Sequence, residues 1–97
     1  MTNLEALKAT LKDQENKIMS DEEYRSHLEL KGINPDDTFD PTNPNDIMLA
    51  KADILEDIVA HPVKWNAYKQ GEINEEVNPE QILKVAQQIR LRYQKVI

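Results

Sequence analysis

The stretch NPNDIMLAKADILEDIVA, from Asn43 to Ala60, carries more apolar surface than one neighbour can cover. Set on a helix at about 100° per residue, Ile47, Met48, Ala50, Ala52, Ile54, Leu55, Ile58 and Val59 span roughly 200°, against the ~100° stripe of an ordinary surface helix. A helix over Pro44–Ala60 must therefore be packed on two sides, and the rest of the chain has to supply both neighbours. This predicts an all-α fold, a small bundle of four main helices with an ordered loop rich in Pro and Asp, forming a single helical domain over residues 1–97. At this length the core is modest, and oligomerisation would add buried surface that the monomer lacks.

The other elements announce themselves by their ends. Thr2-Asn-Leu-Glu5 reads as a capping box that starts a first helix at Asn3. Its stripe is Leu4, Leu7, Leu11 and Ile18, with Lys8, Lys12, Asp13 and Glu15 pointing elsewhere, so a peripheral helix with one partner is expected. Ser20-Asp-Glu-Glu23 is a second capping box, with Met19 placed to staple onto Tyr24. That helix runs over Asp21–Lys31 and stops at Gly32, where Ile33 can close onto Leu28 in a Schellman end. The segment from Asn34 to Asn43 holds two prolines, three Asp and two Asn and reads as a loop, ordered around Phe39 as a buried anchor. Asn43-Pro44 then caps and starts the central helix. After Pro62, Val63–Gln70 is expected to form one short helical turn, Gly71 to break it, and Glu72–Val77 to be an acidic connection. Asn78-Pro79-Glu-Gln81 starts a last helix carrying Ile82, Val85, Ala86, Ile89, Tyr93 and Val96 at helical spacing.

The charge is unevenly placed. The chain as a whole is net −6. Residues 79–97 hold Lys84, Arg90, Arg92 and Lys95 against Glu80, while residues 1–78 are strongly acidic. This balance argues against direct nucleic-acid binding, whose affinity rests on neutralising phosphates. With no cysteine there is no thiolate nucleophile, disulfide or cysteine zinc site, and no apolar run approaches the ~18 residues of a membrane span. Met1–Leu11 alternates apolar with charged residues and does not read as a signal peptide, so a soluble protein made inside the cell is expected.

Chemistry-bearing patterns are sparse. Asp36, Asp37, Asp40 and Asp46 supply hard oxygen ligands, but their spacing lacks the glycine-turned DxDxDG arrangement, and two of them read better as turn and helix-start acceptors. His27 and His61 have no metal-ligand spacing. With two glycines in the chain there is no phosphate loop or nucleophile elbow. The sequence therefore predicts no catalytic residue, no metal and no cofactor. What remains is surface. Lys51 falls inside the apolar arc of the central helix, its stem placed to lie along the core edge. Leu49 and Leu91 project from the polar backs of their helices, and with Trp65 they suggest a protein-binding surface. In the last helix Arg90 and Arg92 flank the buried stripe while Leu91 faces away from it. This nominates Arg90, Leu91, Arg92, Leu49 and Trp65 as protein-interface candidates.

The run LELKGINPDDTFDPTNPND, with its Gly32-Ile33-Asn34-Pro35…Phe39-Asp40-Pro41 turn, is followed by an alanine-containing helix, an acidic bridge and a final amphipathic helix. This order, over about Asp21 to Tyr93, resembles the small head–tail connector proteins of tailed bacteriophages and prophages. In similar proteins the bridge carries Gly, Ser and small residues for intersubunit contact. Here Gly71 is followed by Glu72-Ile73-Asn74-Glu75-Glu76, a departure from that pattern. The resemblance implies an all-helical, non-enzymatic virion protein, made in the host cytoplasm, that assembles as a ring beneath the portal and binds portal or tail-completion proteins, with no membrane involved. The residues alone leave open an alternative, a small acidic helical adaptor that binds a host or regulatory protein.

Overall fold

The structure, a computed structural model, describes residues 1–71 and 78–94. These form five helices: α1 (Asn3–Thr10), α2 (Asp21–Leu30), α3 (Asn45–Ala60), α4 (Pro62–Gly71) and α5 (Pro79–Tyr93). The fold is all-α, with one isolated antiparallel bridge, Thr2 to Thr38, among the described residues. The expected Glu72–Val77 connection and Val96 lie outside them.

Helix α3 is the hub. It packs against α1, α2, α4 and α5; among the described helices α5 packs on α3 alone, and α4 packs on α3 and reaches α2 through the Lys64–Glu23 ion pair. Ile47, Ala50, Ala52, Ile54, Leu55 and Ile58 are buried along it, with Met48 and Val59 partly buried at the margin. Lys51 is half-buried, as a stem lying along a core edge would be. The wide arc is thus covered by α1 and α2 together with α5.

The first turn of α1 shows why the loop of residues 34–43 is ordered. A helix start exposes N–H groups with no intrahelical partner. Here the Thr2 hydroxyl accepts from the Glu5 N–H while the Glu5 carboxylate accepts from the Thr2 N–H, the expected capping box. The remaining donors go to the loop: Asn3 N–H to the Asp37 carbonyl at 2.9 Å and Leu4 N–H to the Pro35 carbonyl at 3.0 Å. Phe39 donates its own N–H to the Met1 carbonyl at 2.8 Å, and its ring packs, partly buried, against the core.

Several expectations need correcting. The Val63–Gln70 turn is a ten-residue helix, α4, so the bundle has five helices and not four. Pro62 sits in its first turn, where the missing N–H costs nothing. Trp65 and Tyr68, one turn apart, stack with ring centroids 6.0 Å apart. Asn43 does not cap α3: the helix ladder begins at the Pro44 carbonyl, which accepts from the Met48 N–H, so Pro44 holds the cap position with no side-chain bond and Asn43 lies in the preceding turn, its N–H on the Asp40 carbonyl. Helix α1 stops at Thr10, short of Ile18, and it touches both α2 and α3 where one partner was expected. Beyond it Asp13 does not point outward. It is 3% exposed and belongs to the interior. Lys8 is also drawn in, its ammonium 2.8 Å from both the Asn16 side-chain oxygen and the Asp21 carboxylate.

Candidate protein-binding surface

Helix α5 begins as its sequence specifies, with the Asn78 side chain accepting from the Gln81 N–H at 2.9 Å and Pro79 in the first turn. Ile82, Ala86 and Ile89 are buried against the body. Arg90 extends that attachment. Its guanidinium donates to the Asp53 carboxylate at 2.6 Å and also to Glu56, both on α3, and Lys31 at the end of α2 reaches the same Asp53 at 2.9 Å. Burial pushes the Asp53 carboxyl up, but the bonds from Lys31 and Arg90 outweigh it and hold the acid below its ordinary range. The bonds to Glu56 and then Asp53 hold Arg90 above its ordinary value. Arg90 therefore fastens α5 to α3, and its charge is answered within the chain.

The other face of α5 has no described helix against it. Leu91 is 76% exposed and Leu83 is 42% exposed. Lys84 and Arg92 are exposed beside them, without an ion-pair partner among the described residues; Arg92 lies 5.6 Å over the Tyr93 ring. Val85, expected in the buried stripe, is 41% exposed, because α5 meets one helix only and its stripe is correspondingly narrow.

Of the five interface candidates the structure leaves Leu91 and Arg92 open. Leu49 is half-buried on α3, and Trp65 is half-buried, stacked on Tyr68 and packed against the core. Sequence reasoning missed Lys84, to which the phase argument that exposes Leu91 applies, Leu83 on the flank of the stripe, and Leu30 on α2, which is 82% exposed.

The remaining charged cluster ties helices together. Lys64 on α4 lies 2.7 Å from Asp57 on α3 and 2.7 Å from Glu23 on α2. The His61 ring Nδ1 is 3.0 Å from the Asp57 carboxylate, and His27 stands 3.9 Å from it. Burial raises the Asp57 carboxyl, but the Lys64 hydrogen bond and charge, with the two imidazoles, bring it below the ordinary range. There is no hydroxyl or thiol nucleophile in this set, and its geometry is that of a three-helix clasp. In the loop, Asp36 is gripped by Arg25 through two hydrogen bonds of 2.9 and 3.2 Å, and Asp40 accepts from the Thr42 N–H and hydroxyl. Among the described residues no group of three or more His, Asp or Glu is placed to hold a metal ion. The surface hollows lined by Met1, Glu5, Lys8, Ala9 and Gln14 (230 Å³) and by Lys12, Asp13, Gln14, Glu15 and Lys17 (290 Å³) fall below the volume usual for ligand sites. No helix among the described residues is long and apolar enough to cross a membrane.

Comparison with curated proteins and with solved structures gave no significant match. A family profile does match, over residues 1–96, described as a family of unknown function. With all but the last residue inside that profile, the chain belongs to the family DUF6706.

Proposed function

We propose that this chain is a non-catalytic structural protein of a virion, a head–tail connector subunit that assembles as a ring beneath the portal and contacts portal or tail-completion proteins. The observation that carries the reading is the open face of α5: a helix held by one neighbour among the described helices, presenting Leu83 and Leu91 beside cations, Lys84 and Arg92, that make no ion pair among the described residues. A helix seated on one side only is completed when a neighbour covers its other side. The excess of acid over the rest of the chain supplies the opposite charge for a head-to-tail contact, which closes into a ring when the rotation between copies allows it.

The test is assembly. Light scattering of the full chain at rising concentration, and negative-stain microscopy of its mixture with a phage portal protein, should show rings or ring-bearing portals. A strict monomer that ignores the portal would overturn the connector reading and leave the adaptor reading, in which the same face takes a host or regulatory protein. The position of the gene, between those for a portal and a tail protein or elsewhere, is an independent check.

A further inference from the structure

Two outer helix faces in this fold are complementary in charge, spacing and apolar content. On α5 the exposed residues away from Ile82, Ala86 and Ile89 include Lys84 and Leu91, with Gln87, Gln88 and the first-turn Glu80 on the same side and Arg92 on its flank. On α2, Tyr24 and Leu28 are buried and the opposite side presents Glu22, Glu29 and Leu30, all exposed. Glu22 and Glu29 are seven residues apart, about 10.5 Å along the helix; Lys84 and Arg92 are eight apart, about 12 Å. Each pair of like charges brackets two turns with one exposed leucine at the far end. Glu22 and Glu29 make no ion pair among the described residues, nor do Lys84 and Arg92, whereas Arg25, Lys31, Lys64 and Arg90 are all paired within the chain. Helices α2 and α5 do not pack on each other, and no described helix covers either face.

We propose that a second copy of this chain seats its α5 face (Lys84, Leu91, Arg92) on the α2 face (Glu22, Glu29, Leu30) of the first. Contact of α5 on α5 would set cations against cations, and contact of α2 on α2 would set acids against acids; the crossed pairing removes both conflicts and covers Leu30 with Leu91. Because donor and receptor faces differ, each copy retains one of each after pairing, and assembly can continue. This rests on the self-association reading above and adds the surface that receives α5.

Charge reversal decides it. Lys84→Glu/Arg92→Glu and Glu22→Lys/Glu29→Lys, each made in the full chain, should keep wild-type helicity by circular dichroism, since all four residues are exposed. Each variant alone should associate at least tenfold more weakly than wild type in sedimentation velocity. The two mixed one to one should recover association, and the wild-type contact should weaken as salt rises. If wild type associates but the α2 reversal has no effect, or the mixture stays dissociated, α2 is not the receptor and the connector reading survives. If wild type is monomeric at every concentration, the contact of α5 on α2 is overturned, and the connector reading falls with it only if the chain also ignores the portal.

Discussion

Helices α1 and α2 end in the same hydrogen-bonded geometry by different means. At the end of α2, Gly32 takes a φ of +73°, its N–H bonds the Glu29 carbonyl at 2.9 Å, and the Ile33 N–H bonds the Leu28 carbonyl at 3.0 Å. At the end of α1 the left-handed residue is Lys12, φ +54°, with the Lys12 N–H on Ala9 at 3.1 Å and the Asp13 N–H on Lys8 at 3.0 Å. Both are Schellman closures. A glycine reaches that conformation freely, whereas a residue with a Cβ needs other contacts to hold it there. At α1 the contacts come from Asp13, which follows directly. Its buried carboxylate accepts from the N–H groups of Lys17, Ile18 and Met19 and from the Tyr24 hydroxyl at 2.6 Å. Burial and that hydrogen bond push the Tyr24 phenol well above its ordinary pKa, so it remains a donor at every physiological pH. One end is closed by local conformational freedom, the other by a side chain that reaches across eleven residues to α2.

This difference can be broken at its strongest point first. Asp13→Ala removes an acceptor from three backbone donors and a buried phenol, and should cost about 3 kcal/mol in urea unfolding, because buried donors left unpaired cost more than the bond itself contributed. A loss under about 1 kcal/mol would mean that water replaces the carboxylate and that the loop between α1 and α2 is not held by it. Gly32→Ala should cost less, about 1 kcal/mol, and for a different reason: an added Cβ meets nothing within 4 Å, so the whole effect is the strain of a positive φ. The smallest effect sharpens the contrast. Lys12→Gly relieves left-handed strain but adds freedom to the unfolded chain, and should stabilise by about 0.5 kcal/mol in the same assay. If Lys12→Gly destabilises, the lysine contributes something beyond its backbone conformation.

The same contrast explains what could be read in advance. The end of α2 was legible because glycine is a local signal. The end of α1 was not, since Lys12 and Asp13 in a stripe of leucines look like the polar side of a longer helix; the signal is the distant tyrosine that pairs with Asp13. Among the interface candidates, Leu91 was legible from helical phase, as its exposure follows from lying away from Ile82, Ala86 and Ile89, whereas phase put Arg90 and Arg92 alike on the flanks. Only the packing of α5 beside Asp53 and Glu56 decided that the charge of Arg90 is used within the chain.

The sequence by itself determined the helix starts at Thr2, Ser20 and Asn78, the Gly32 stop, the breadth of the apolar arc on α3 and therefore the all-α class. These rest on interactions within a few residues or on a periodicity that one helix carries alone. The tertiary structure decided that α4 is a full helix, that the loop of residues 34–43 supplies carbonyls to the start of α1, that Asp13 is an interior acceptor, and that α5 leans on α3 alone. Each of those depends on which groups are brought together across the chain, and burial changes the sign of a polar residue's contribution: a carboxylate that would be a solvated surface charge becomes, once surrounded by donors, a fixed point of the fold.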